Sequence, residues 1–103
     1  MTKKELSELL KTSGLPVFYH HSEKPQDLPF ICYNFIGNED IMADDKPYVK
    51  CRDYIVELCT ARKDGTLEQK IEQLFEENEI KYDMDEVYIE SEKMYEIIYT
   101  IQI

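Results

Sequence analysis

The side chains best suited to chemistry are few and poorly grouped. Asp40, Asp44 and Asp45, followed by Asp83 and Asp85, offer hard oxygen ligands for a divalent cation, but the twelve-residue calcium loop with its Gly and closing Glu is absent. Solvated acids on loops are the expected reading, with a small metal-dependent accessory enzyme using those aspartates as the competing one. His20 and His21 are the only histidines. Adjacent residues on an extended segment point to opposite faces, so this pair does not grip one metal or act as nucleophile and base. Cys32, Cys51 and Cys59 show no Cys-x-x-Cys spacing and lie in apolar or alternating segments, which reads as reduced, structural thiols. There is no Gly-x-Ser-x-Gly elbow, and glycines at 14, 37 and 65 are too scattered to cradle a phosphate. No catalytic residue, metal ligand or cofactor site is assigned.

Charge narrows the field further. Twelve Lys and Arg against 22 Asp and Glu give 12 − 22 = −10 over 103 residues, so phosphate backbones and anionic membranes are repelled. An acidic inhibitor that mimics DNA charge is a third reading. Leu6, Leu9 and Leu10 near the N-terminus are separated by polar residues, so neither a signal-peptide core nor a membrane span is expected. With 43% hydrophobic residues, three Gly and four Pro, a folded domain spanning residues 1–103 is expected rather than a disordered chain. Eight tyrosines are many for this length, and Tyr33, Tyr54, Tyr88, Tyr95 and Tyr99 fall in strand-like segments. Tyr serves equally at core margins and at protein interfaces.

The elements that must position these residues follow from local signals. Thr2 and Glu5 form a capping box ahead of Leu6, Leu9 and Leu10, which predicts a helix over 3–12 stopped by Gly14 and Pro16. Val17 to Tyr19 and Leu28 to Ile36 read as strands, the second rich in aromatic and β-branched residues. Gly37 to Pro47 carries a turn-former at nearly every second position and reads as a long connecting loop. Tyr48 to Ala61 reads as one long central strand, because Tyr54, Val56 and Leu58 lie on one parity and Ile55 and Cys59 on the other. Thr66 and Gln69 suggest a second capping box before a helix over 67–78, with Leu67, Ile71, Leu74 and Phe75 inward and Glu68, Glu72, Glu76 and Glu77 in solvent. Glu76 and Glu77 oppose the helix dipole, so that end should fray or meet a cation. Ile80 to Glu90 and Lys93 to Ile103, joined by Ser91-Glu92, read as a C-terminal β-hairpin. The expected fold is α+β, a mainly antiparallel sheet with two helices packed on it.

Several short segments carry a family resemblance over nearly the whole chain. Leu15-Pro16-Val17 with Tyr19, Leu28-Pro29-Phe30-Ile31 with Tyr33, Ala43-Asp44-Asp45, Glu57-Leu58 with Thr60, Lys63-Asp64, and Tyr88-Ile89-Glu90-Ser91-Glu92 with Tyr95 occur in that order. Together they resemble the tail-terminator or tail-completion family, the tail-to-head joining proteins of long-tailed phages and prophages of Gram-positive bacteria. The resemblance implies a non-enzymatic ring of identical subunits, a hexamer, that caps the tail tube, ends its growth and offers the surface to which the head joins. Its implied partners are further copies of itself, the tail-tube protein and a head-completion or connector protein. It implies no cofactor, no membrane and no specific nucleic-acid binding. The implied location is the cytoplasm of the bacterial host during assembly and then the virion tail. Within the long loop and just after it, Ile41, Met42, Asp44, Asp45 and Tyr48 are the candidates for contact with a neighbouring subunit.

Overall fold

The computed structural model describes residues 1–20, 27–38 and 51–103, together with the backbone of 41–43 and 46–49. The capping box at its start is formed as the sequence dictates: Glu5 N–H donates to Thr2 Oγ1 at 3.1 Å and Thr2 N–H to Glu5 Oε1 at 3.0 Å. Helix α1, Lys3–Lys11, follows and buries Leu6 and Leu10. Past it Gly14 takes φ +87°, a conformation that costs a residue with a Cβ far more than it costs glycine. The chain then enters β1, Val17–Tyr19.

Strand β2, Phe30–Asn38, runs two residues beyond its expected end. A register shift against its antiparallel neighbour β5 falls between Phe35 and Gly37, and Gly37 accommodates it at φ +153°. The next stretch is where the structure corrects the sequence reading. Instead of an irregular loop over 37–47, the chain forms β3, Ile41–Ala43, and β4, Lys46–Val49, paired as a two-stranded antiparallel sheet. Strands of three and four residues are too short for an alternating pattern to register, so the turn-formers around them dominated. The expected long strand from Tyr48 is likewise two strands, since β4 ends at Val49 and β5 spans Arg52–Thr60. Among the described strands this ribbon stands as a sheet separate from the main one.

Helix α2, Gly65–Glu77, starts two residues earlier than the Thr66 box suggests. Asp64 is the cap: its Oδ1 accepts the Leu67 N–H at 3.1 Å, which satisfies one of the orphan donors of the first turn. The C-terminal hairpin is present as β6, Tyr82–Ile89, and β7, Met94–Gln102, joined by a turn over 90–93. Among the described residues the strand order of the main sheet is β1-β2-β5-β7-β6, with β5 central; β1 joins β2 in parallel and the other neighbours are antiparallel. Among the described residues the fold is thus α+β, a mostly antiparallel five-stranded sheet with two helices and the separate ribbon.

Register places Ile31 and Tyr33, Tyr54 to Leu58 on even numbers, and Ile97 to Ile101 on odd numbers, on one face. These residues share one buried cluster with Leu6 and Leu10 of α1 and Ile71 and Phe75 of α2, so both helices cover that face. Leu67 and Leu74 pack against it half-buried. Glu68, expected in solvent, is instead buried, because Lys63 on the approach to α2 folds back to pair with it at 2.8 Å. Lys63 also bonds Glu86 on β6, tying the helix start to the hairpin. Tyr99 reaches from β7 to donate to Glu72 Oε2 at 3.1 Å, and Tyr82 donates to Glu76 Oε1 at 3.0 Å. A phenol rather than a cation therefore meets the acidic end of α2, which stays helical through Glu77. Loss of hydration, followed by the Glu72 carboxylate, pushes the Tyr99 hydroxyl far above the usual phenol range.

Candidate functional site

Of the residues singled out by sequence, Ile41 and Met42 lie on β3 and Tyr48 on β4, while Asp44 and Asp45 fall outside the described residues. The backbone therefore places Ile41, Met42 and Tyr48 on one antiparallel ribbon. Asp40 is also outside the described residues; Asp83 and Asp85 are exposed on β6, on the face away from the helices. Among the described residues, no group of three or more His, Cys, Asp and Glu is placed to hold a metal ion. His20 sits beyond β1 with its Nδ1 2.8 Å from Asn34 Oδ1, and His21 is outside the described residues. No described helix is long and apolar enough to cross a membrane.

The helix-free face of the sheet holds two of the three thiols. Cys32 on β2 and Cys59 on β5 are buried free thiols, and Cys51 is half-buried just before β5. Burial, followed by nearby carboxylates, raises Cys32 to about 11 and Cys59 to about 12, so both are protonated near neutrality and poor nucleophiles. Between them Glu57 faces Cys32 across one strand pair, while Glu96 faces Cys59 across another. Burial, then its hydrogen bond and charge repulsion with Glu96, lifts Glu57 to about 7.

The raised Glu57 value gives stability a definite pH dependence. Its neutral form is favoured in the folded chain, so the contribution is complete below the unfolded carboxyl value near 4.5 and disappears as pH rises through about 7. With solvent screening discounted, about 1 kcal/mol is at stake. The wild-type chain should therefore melt higher at pH 5.5 than at pH 8 in calorimetry. Glu57→Gln should narrow that gap, and an unchanged gap would remove Glu57 as a cause.

The site that sequence reading missed is a concavity of about 540 Å³ beside the base of the ribbon. Its lining includes Lys3 of α1, Tyr19 of β1, Phe35 of β2, Arg52 and Tyr54 of β5, and Ile103. Four rings run across the strands into it: Tyr19 to Tyr33 at 5.1 Å between centroids, Tyr33 to Tyr54 at 6.3 Å, and Tyr54 to Phe35 at 5.6 Å. Tyr33 and Tyr54 are buried, whereas Tyr19 and Phe35 keep 42% and 45% of their surface exposed. Lys3 Nζ stands 3.4 Å above the Tyr19 ring centroid, a cation–π contact that pins the helix start to the strand. Arg52 and Ile103 exchange both backbone hydrogen bonds, at 3.0 and 2.8 Å, which holds the floor. A second concavity, of about 610 Å³, is lined by Asp53, Glu76 and Asp83 with Lys81 as its one basic side chain. The two hollows thus differ in sign. An aromatic wall with exposed ring faces and basic rims can seat an apolar, acidic segment. No protein-family model matches the chain, and no curated protein matches it.

Proposed function

We propose that this chain is a structural subunit of a phage or prophage tail, a tail-terminator or completion protein whose copies close into a ring on the end of the tail tube. The motifs in the order given above supply the family, and the feature of the fold that carries the reading is the β3–β4 ribbon. A two-stranded ribbon is at best marginally stable alone in water, and among the described strands β3 and β4 pair with each other outside the five-stranded sheet. A neighbouring subunit supplies the missing surface. The molecule is elongated accordingly, 50 × 27 × 22 Å, with a radius of gyration of 14.7 Å. A compact chain of this length has about 13 Å.

In this role the chain works without catalysis or cofactor. Its partners are further copies of itself, six in a closed ring, the tail-tube protein below and a head-completion protein above. Charge suits the passage of DNA: at −10 per subunit a ring repels phosphates, so the genome slides through without sticking. Assembly takes place in the host cytoplasm and the ring ends in the virion.

Amide exchange tests the reading at the ribbon. In the free subunit, amides of 41–49 should exchange quickly, because a two-stranded ribbon is marginally stable by itself. In the assembled ring the same amides should slow. Strong protection in the free subunit would mean that the ribbon needs no neighbour.

A further inference from the structure

We propose that the aromatic concavity formed by Lys3, Tyr19, Phe35, Arg52, Tyr54 and Ile103 receives the β3–β4 ribbon of a neighbouring copy. This rests on the ring reading above and names the socket that such a ring requires. Two independent properties make the match. The first is charge: Lys3 and Arg52 are the charged side chains of the lining, both basic, in a chain with 22 acids and 12 bases. In sequence, residues 39–50 carry four acids, Glu39, Asp40, Asp44 and Asp45, against Lys46 and Lys50, and the apolar pair Ile41 and Met42 is flanked by the acids. The second comparable hollow carries three acids, Asp53, Glu76 and Asp83, against Lys81, and is the less favourable seat for that segment.

The second property is apolar ring surface that the chain's own contacts leave exposed. Phe35 and Tyr19 remain 45% and 42% exposed at the mouth of the concavity. The ribbon lies in the chain between Asn38 at the end of β2 and Arg52 at the start of β5, and among the described strands it forms a sheet of its own. Each chain therefore carries one arm and one socket, which are different surfaces. A contact between unlike surfaces is head-to-tail, and repeated with a closing rotation it generates a ring. Anchors of this kind, large rings in a desolvated pocket, dominate binding.

Complementation between two damaged copies tests it. One variant loses the socket, Lys3→Glu with Phe35→Ser; the other loses the arm, Ile41→Ser with Met42→Ser. Sedimentation is run in the buffer, with or without tail-tube protein, in which the wild-type chain forms rings. Each variant alone should stay monomeric, its self-association weakened at least about tenfold. An equimolar mixture should give a two-copy species, because the intact arm of one variant fits the intact socket of the other. The socket positions are at the surface, and melting temperatures near the wild-type value verify that both variants are folded. Rings from either variant alone, or a folded mixture that stays monomeric while the wild type forms rings, would overturn the socket and leave the ring reading standing. A wild-type chain that forms no ring under any of these conditions would overturn both.

Discussion

Phe75→Ala should destabilise the folded chain by about 3 to 5 kcal/mol, the largest effect expected of any single truncation on α2. Phe75 has no exposed surface, and its ring lies 5.5 Å from that of Tyr99 and 5.7 Å from that of Tyr82, centroid to centroid. Removing it leaves a void between helix and sheet that the rigid strands β6 and β7 cannot close, so a cavity cost adds to the lost transfer energy. Leu74 is half-buried, and its truncation should cost about 2 kcal/mol. For a domain of this size the Phe75 variant should melt at least about 12 °C lower. Thermal unfolding followed by circular dichroism reads this directly, and a near-wild-type melting temperature would refute the packing of α2 on the sheet.

Assembly should respond to salt in the direction opposite to that of a simple ion-paired oligomer. If six subunits form the proposed ring, −10 per chain would bring together about 60 negative charges, and their repulsion should hold the free chain monomeric or weakly associated at low ionic strength. Screening shortens to about 8 Å at physiological salt, which removes the long-range repulsion while leaving aromatic and aliphatic contacts intact. The ring fraction in sedimentation should therefore rise with NaCl. On the proposed function it should rise again with tail-tube protein, which would align subunits on a template and so couple ring closure to a finished tube. A decrease in association with added salt would mean that attraction between the acidic arm and the basic rim outweighs the repulsion between whole subunits.

Much of the fold is legible locally. The Thr2 and Glu5 box, the alternation of β7 and the inward positions of Ile71 and Phe75 each depend on residues a few positions apart, and the structure carries all three. Errors arose where two local signals compete. Asp64 and Thr66 are both good caps, and Asp64 prevails because Gly65 enters the first turn in place of ending a loop. Glu68 looked solvated because periodicity along a helix does not reveal Lys63 folding back from the preceding turn. The ribbon was hidden by strands too short to show a period. The concavity was invisible for a different reason: α1, β1, β2 and β5 contribute to it from distant points in the sequence, and only the strand order brings Lys3, Tyr19, Phe35 and Arg52 together. The Glu57 and Glu96 pair arises likewise from the register of β5 against β7.

The mass of the purified chain in solution, measured by light scattering with and without tail-tube protein, tests the ring most directly. One chain weighs 12.3 kDa. The ring account expects a species near this mass at low salt and, on addition of tube protein at physiological salt, a complex whose added mass corresponds to a closed ring of identical copies. A chain that keeps the mass of a single copy in every salt and with tube protein present would contradict it.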